Sequence, residues 1–273
     1  MSTWVLLRGL TRESRHWGEF PQTLARQLPT ARILAPDLPG NGRLHQLQSP
    51  STVEAMAADC RARLLAQGER PPFHLLAMSL GAMVAVAWAN AQPDDIAACV
   101  LINTSLRPFS PWYRRLRPTN HAALLRVALL ARDDRERERT ILRLTSARPG
   151  DHAAALDAWV HLRRARPVSR VNALRQLWAA ARYRAPIQPP ATPTLVLASE
   201  RDTLVDAHCS VQLARHWQTE IALHPDAGHD LPLDDGAWVI DQVAQWSQRL
   251  TRTTSLADAR AVGRQAARPD GRG

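Results

Sequence analysis

The sequence predicts an α/β fold, with a mostly parallel central sheet flanked by helices and an inserted helical lid. Over residues 1–105, short apolar runs alternate with helical patterns, which is typical of parallel strands joined by helices. Residues 106–185 contain no convincing strand pattern, and prolines separate several amphipathic stretches. Strand patterns return after residue 186. A chain of 273 residues is long enough for one such domain with an insertion.

The predicted elements follow one another in regular order. Apolar runs predict strands over residues 4–7, 32–35, 73–77, 98–102, 194–198 and 220–223. Helical patterns occupy residues 17–28, 82–91 and 236–250, and Ser51 with Glu54 predicts a capping box that opens a helix ending near residue 66. We therefore predict a core of residues 1–105 and 186–250, a lid of residues 106–185, and a disordered basic tail of residues 251–273.

The basic residues are all arginine, and they are unevenly distributed. Residues 106–185 hold 18 arginines and six acidic residues, so this segment alone exceeds the formal net charge of +10 of the chain. Such asymmetry bears on partners and on the steering of charged substrates rather than on fold. No recognised nucleic-acid-binding module accompanies the charge, and we predict no nucleic-acid partner.

The three cysteines, Cys60, Cys99 and Cys209, are widely spaced and form no Cys-x-x-Cys pair. They predict neither a disulfide framework nor a metal site, and they suit a reducing cytoplasm. The longest apolar stretch covers residues 75–89, which is shorter than the roughly 20 residues that a membrane helix needs. We expect a cytoplasmic protein without a membrane span.

The most informative motif surrounds Ser79, which stands between Ala77 and Gly81. A buried strand is predicted before it and a helix rich in small residues after it. A serine at such a strand-to-helix turn is held in a strained conformation, with its hydroxyl clear of the sheet. We predict that Ser79 is a catalytic nucleophile; the alternative is a buried structural serine.

A serine nucleophile needs a base and an orienting carboxylate, which in folds with this turn follow downstream at the ends of later strands. His229 lies after Gly228, beyond the strand at 220–223, and Asp202 follows the strand at 194–198. Competing carboxylates are Glu200, Asp206, Asp226 and Asp230, whereas residues 103–105 offer none. We predict His229 as base and Asp202 as acid, and we expect structural roles for His74 and His224.

An oxyanion that develops during acyl transfer is stabilised by preorganised N–H donors. The residue after the nucleophile, Leu80, should supply one backbone N–H. The second should come from the loop after the first strand, where Gly9 allows a turn and Leu10 follows it.

Together these residues resemble the α/β-hydrolase superfamily over roughly residues 4–250. The matching features are Arg8 with Gly9, Trp17, the loop at 37–42, the turn at Ser79, Asp202, and Gly228 with His229. The layout is most similar to compact, single-lid carboxylesterases, including those that act on carrier-protein methyl esters in biotin synthesis. In one respect the chain departs from these relatives, because they usually carry histidine where this sequence has Arg8.

The resemblance implies a serine hydrolase that cleaves carboxylic esters or thioesters through an acyl-enzyme, without metal or organic cofactor. Two alternatives stay open. The departure at Arg8 is compatible with a non-catalytic binding protein of the same fold. A C–C bond hydrolase or a perhydrolase could use the same triad.

The arginine-rich lid is the predicted determinant of substrate choice. Near its start, Arg114, Arg115 and Arg117 cluster around Trp112. The plainer interpretation is a solvated helix surface. The sharper one is that these residues bind an anionic acyl substrate or an acidic acyl carrier protein, and that small-molecule esters or acyl thioesters occupy the site below.

Overall fold

The computed structural model of the chain describes residues 2–129 and 133–250. In these residues six strands form one sheet in the order β2-β1-β3-β4-β5-β6. The strands are β1 (Ser2–Leu7), β2 (Ala31–Leu34), β3 (Phe73–Met78), β4 (Ile96–Ile102), β5 (Thr194–Ser199) and β6 (Glu220–His224). All neighbouring strands pair in parallel. The predicted fold class is therefore confirmed.

Helices connect the strands and cover both faces of the sheet. In chain order they are α1 (Phe20–Gln27), α2 (Val53–Ala66), α3 (Leu80–Ala91), α4 (Trp112–Arg115), α5 (His121–Leu129), α6 (Asp134–Thr145), α7 (Ala153–Ala165), α8 (Arg170–Arg182), α9 (His208–Trp217), α10 (Leu231–Asp234) and α11 (residues 236–250). Helices α2 and α3 pack on one face, where Met56 and Trp88 are buried. Helices α1 and α11 pack on the other face through Phe20, Leu24 and Trp246. Because both faces are covered, β4 is a continuous apolar run, and β3 and β5 depart from this pattern only at His74 and at their ends, Thr194 and Ser199.

Two predicted helix starts are corrected by the structure. Helix α2 is capped by Thr52 and not by Ser51, because the Thr52 hydroxyl oxygen accepts a hydrogen bond from the Ala55 N–H at 3.2 Å. The helix predicted from residue 17 begins later. A 3-10 turn over Ser14–Trp17 ends at Gly18, whose φ of 56° breaks the helical path before α1.

Helices α4 to α8 all lie between β4 and β5. The segment leaves and re-enters the core at one place, where the Ala185 N–H donates to the Arg107 carbonyl at 2.7 Å. A buried ion pair between Arg12 and Glu138, at 2.6 Å, ties α6 to the loop after β1. Whether this helical segment acts as a lid stays a prediction.

The predicted tail of residues 251–273 lies outside the described residues. Among residues 2–129 and 133–250, no helix is both long and apolar enough to cross a membrane.

Candidate active site

Ser79 occupies the turn between β3 and α3 with a φ of 55° and a ψ of −117°. This is a left-handed conformation that non-glycine residues adopt rarely, and such strain is often found at functional sites. Its backbone is held on the sheet, because the Ser79 N–H donates to the Ile102 carbonyl at 2.9 Å. The side chain does not cap α3 and is only partly buried, so its hydroxyl is available for other contacts.

Glycines on both sides of Ser79 allow the chain to come close together. A Cβ built on Gly81 would lie 2.4 Å from the Leu7 carbonyl oxygen, so only glycine lets α3 begin against the end of β1. A Cβ built on Gly9 would lie 3.2 Å from the Ser79 Cβ and 3.7 Å from its Oγ. The loop after β1 therefore lies directly against the predicted nucleophile.

The predicted base and acid are brought together. His229 Nδ1 lies 2.7 Å from Asp202 Oδ2, and both side chains are buried. The other carboxylate oxygen of Asp202 accepts hydrogen bonds from the N–H groups of Leu204 and Val205, at 2.8 and 2.9 Å. With its second oxygen fixed by these amides, the carboxylate is oriented toward the imidazole before any substrate binds.

The pair changes the acid–base properties of the histidine. Burial alone would lower the pKa of His229, but the charge of Asp202 and the hydrogen bond to it raise that pKa above its ordinary value. The neighbouring Asp230 acts in the same direction, and Arg8 opposes it. An imidazole in this setting is a stronger base than one in water.

In the described part of the chain, Ser79 and His229 share no hydrogen bond. Both residues instead accept hydrogen bonds at their backbone carbonyls from the segment that follows β4. Asn103 donates from its side-chain amide to the His229 carbonyl at 2.9 Å, and the Thr104 hydroxyl donates to the Ser79 carbonyl at 3.3 Å. Asn103 has a φ of 45°. In the sequence, residues 103–105 stand out only for the missing carboxylate, although asparagine is one of the few non-glycine residues that adopt a left-handed conformation.

The loop that carries His229 is fixed by a second group missed in the sequence. Asp234 accepts hydrogen bonds from the N–H groups of Gly228 and Ala147, at 2.7 and 2.9 Å. Ala147 belongs to the helical segment, so one buried carboxylate holds that segment and the histidine loop together. No motif in the sequence distinguishes Asp234 from its neighbours.

Arg8 lies behind the candidate site in a buried bidentate ion pair. Its two terminal nitrogens donate to Asp230, at 3.0 and 2.6 Å, and one of them also approaches Met78 Sδ at 3.6 Å. The guanidinium carbon lies 4.8 Å from the centre of the Trp17 ring. Arg8 thus contacts the residue before Ser79 and the residue after His229. Asp230 neutralises its charge, and Trp17 packs against its guanidinium group.

One predicted oxyanion donor, Leu80, follows Ser79 in the chain, and the other, Leu10, belongs to the loop after β1. Leu80 is the first residue of α3, so its N–H has no acceptor one turn earlier in the helix. The Leu10 N–H makes no hydrogen bond within the described residues, whereas the next amide, that of Thr11, donates to Gln176 Oε1 at 2.8 Å. Gln176 on α8 is fully buried and was not predicted.

The predicted lid residues have separate surroundings. Arg115 is half-buried and donates to the Ala180 and Ala181 carbonyls, at 2.6 and 3.3 Å, which lie at the end of α8. Arg114 and Arg117 face Asp206, at 4.0 and 3.8 Å, and Trp112 is exposed. Binding of a carrier protein or an anionic acyl group here stays a prediction.

A cavity of about 280 Å³ opens beside Arg8, between the start of α1, helix α7 and the start of α11. Aromatic and apolar side chains dominate its wall, including Trp17, Phe20, Trp159, Leu233 and Ile240. None of the three predicted triad residues lines it. The cavity is therefore behind the candidate site rather than part of it.

Comparison with known proteins identifies the family of the chain. A model of the alpha/beta hydrolase family matches residues 4–242. The chain belongs to the alpha/beta hydrolase family. Over 102 residues it is 36% identical to Lipase LipV of Mycobacterium tuberculosis (strain ATCC 25618 / H37Rv), a match that spans only 37% of this chain and 37% of that relative.

Solved structures of the family share the architecture. A thermophilic esterase from Thermogutta terrifontis superposes with a TM-score of 0.72, at 22% identity, over 91% of this chain and 90% of that one. The esterase RhEst1 from Rhodococcus sp. ECU1013 gives 0.68 at 21% identity, over 90% of each chain. At these identities the likeness concerns the fold, while family membership supports a hydrolase.

Proposed function

We propose that this alpha/beta hydrolase is a serine hydrolase that cleaves carboxylic esters or thioesters. The observation that carries the proposal is the buried Asp202–His229 pair, with Nδ1 and Oδ2 2.7 Å apart, at the same sheet edge as the strained Ser79. The esterase and lipase names of the relatives favour the same class of substrate.

In the proposed mechanism, Ser79 Oγ attacks the substrate carbonyl carbon while its proton passes to His229 Nε2. Asp202 stabilises the imidazolium that forms, as its hydrogen bond to Nδ1 fixes the tautomer. The oxyanion is stabilised by the N–H groups of Leu80 and Leu10. His229 then protonates the leaving alcohol or thiol, and water activated by the same imidazole releases the acyl group.

A non-catalytic binding protein is the second candidate, and the observation that favours it is the buried Arg8–Asp230 pair in place of the usual histidine. The two candidates differ in one property. A hydrolase needs a Ser79 hydroxyl that reacts with electrophiles. A binding protein needs neither a reactive Ser79 nor the Asp202–His229 pair.

Labelling with a fluorophosphonate probe separates these candidates. We expect the wild-type protein to be labelled and Ser79→Ala to be unlabelled, while Ser105→Ala, a buried serine after β4, is labelled like wild type. Hydrolysis of p-nitrophenyl esters of increasing acyl length should follow the same pattern. Folded wild-type protein that neither reacts with the probe nor cleaves any ester would establish the binding protein instead.

A further inference from the structure

Helix α8 buries polar side chains and exposes apolar ones, which is the reverse of an ordinary surface helix. Its buried positions include the polar residues Asn172 and Gln176. Its exposed positions carry Val171, Leu174, Leu177 and Trp178, which we call the outer face of α8. Leu174 is 65% exposed and Trp178 is 56% exposed. Exposed large apolar side chains that are contiguous on one helix face indicate an interaction surface.

The orientation of α8 is fixed by the hydrogen bonds on its inner side. Asn172 accepts from the Ser49 N–H and donates to the Leu47 carbonyl, both at 2.9 Å. Gln176 donates to Asn41 and to the Ser49 hydroxyl, at 2.8 and 2.9 Å. Rolling the helix to bury its apolar side chains would break all four contacts, so the outer face remains exposed.

The part of the chain that contains the outer face of α8 is rich in arginine and has no acidic residue nearby in the sequence. From residue 158 to residue 199 the chain has seven arginines and no aspartate or glutamate. Arg170, Arg182 and Arg184 are exposed and form no ion pair with a carboxylate among the described residues. The Arg182 guanidinium carbon lies 5.0 Å from the centre of the Trp178 ring.

Helix α4 adds two exposed aromatic side chains near the end of α8. Arg115 of α4 is bound to the Ala180 and Ala181 carbonyls, which places α4 next to the last turn of α8. The same helix carries the exposed Trp112 and Tyr113. Aromatic and aliphatic side chains bordered by arginines are the composition of helices that lie in a lipid interface.

Charge decides among the possible occupants. A second copy that packs the same face against itself would set arginine against arginine, which is unfavourable. Residues 251–273 hold five arginines and two acidic residues, so they repel the same surface. We propose that the outer face of α8, with its flanking arginines, binds the surface of an anionic phospholipid bilayer, where apolar side chains enter the acyl boundary and arginines contact headgroup phosphates. This binding does not depend on the proposed hydrolysis.

Flotation with vesicles of phosphatidylcholine, prepared with and without phosphatidylglycerol, tests the proposal. We expect the full chain to bind only the anionic vesicles. The double substitution Leu174→Gln and Trp178→Gln should weaken that binding by at least about tenfold, since two apolar side chains lose their burial. Leu125→Gln is the matched control, because Leu125 is 60% exposed on α5 and should leave vesicle binding unchanged.

The arginines are tested separately. Arg170→Gln and Arg184→Gln should each reduce binding to anionic vesicles roughly fivefold, and added salt should weaken binding of the wild-type chain. Thermal unfolding should stay unchanged in all these variants, as every substituted side chain faces solvent.

Three results would overturn the proposal. One is failure of the wild-type chain to bind anionic vesicles. Another is a loss of vesicle binding in Leu125→Gln that equals the loss in the double variant. The third is a wild-type chain that sediments as a dimer and becomes monomeric in the double variant, which would assign the face to a second copy.

Discussion

The carboxyl edge of the sheet and the outer face of α8 depart from the usual distribution of side chains in opposite ways. At the sheet edge, Arg8, Asp202, His229 and Asp230 are charged or ionisable and all buried. On α8, apolar side chains are exposed while the polar Gln176 is buried. Buried charges are tolerated because each has a partner within 3.0 Å, whereas the large apolar side chains on the outer face of α8 are exposed to solvent.

The two regions are stabilised in different ways. The ion pairs of the sheet edge form within the chain and need no ligand, although Arg8 Nε is buried there without a hydrogen-bond partner among the described residues. The outer face of α8 leaves apolar area in water, and only binding would remove it. Both regions depart from the usual pattern, and such departures are expected where a protein functions rather than where it merely packs.

Removing the charge of Asp202 should have the strongest effect on the sheet edge. Asp202→Asn should lower kcat by about 10⁴-fold, because the amide no longer stabilises the imidazolium. The pH profile should also move. Because the charge of Asp202 raises the pKa of His229, the acid limb of kcat/KM of the wild-type protein should lie above the pH expected for an ordinary imidazole. Without the charge of Asp202, burial lowers that pKa, and the limb of the residual activity should shift to lower pH.

The control for that experiment is Asp206→Asn, which changes a carboxylate that faces Arg114 and Arg117 instead of His229. It should keep both the rate and the pH profile of the wild-type enzyme. A comparable loss in the two variants would mean that Asp202 is not the orienting acid.

The second effect concerns stability. Arg8→Met leaves Asp230 as an unpaired buried carboxylate and should lower the free energy of unfolding by about 3–5 kcal/mol at neutral pH. Burial alone would raise the pKa of Asp230, but the charge of Arg8 and its hydrogen bonds lower that pKa below 3.8. The stabilisation is therefore fully present above the ordinary carboxyl pKa and is lost as pH falls through the lowered value.

Urea unfolding of wild type, Arg8→Met and the double variant Arg8→Met with Asp230→Leu measures this contribution. The double variant should recover much of the loss, because no charge is left buried. If it is no more stable than Arg8→Met, the ion pair is not what Arg8 contributes, and its packing on Trp17 becomes the explanation.

A weaker effect is expected at Gln176, which connects the two regions because it lies on α8 and binds the loop that carries Leu10. Gln176→Met leaves the Thr11 N–H without its acceptor and should cost about 1–3 kcal/mol of unfolding free energy. If the Leu10 N–H is an oxyanion donor, kcat should fall by up to about 100-fold while KM changes little.

Two variants calibrate that result. Gln176→Glu keeps an acceptor for Thr11 and should retain more of kcat than Gln176→Met. Leu174→Ala, on the outer side of the same helix, should change stability by less than about 0.5 kcal/mol and leave both kinetic constants unchanged. Equal effects at positions 174 and 176 would remove the contrast between the two sides of α8.

Much of the fold could be predicted because its signals are local. Apolar runs such as that of β4 and the small residues around Ser79 carry their own structural preferences, so the strands were placed within one or two residues. Helix starts were less certain, since Ser51 and Thr52 are both good caps and only backbone geometry separates them. The pairing of His229 with Asp202 was predicted from order along the chain.

The groups that the sequence did not disclose act over long separations. Asn103 reaches Gly228 and His229, and Gln176 reaches Thr11 from the far end of the helical segment. Asparagine and glutamine are common surface residues, so nothing in their local sequence indicates that they are buried. Burial and partners become visible only when the chain is folded.

From the sequence alone we could predict the parallel sheet and the helical segment between β4 and β5, and we could select the three candidate residues of the site. Local preference and the period of apolar residues suffice for these features. The folded chain was needed to see that Arg8 pairs with Asp230, 222 positions away, and that α8 buries its polar side. Both depend on the free energy of burying a polar group, which is set by the partner it meets in the folded chain.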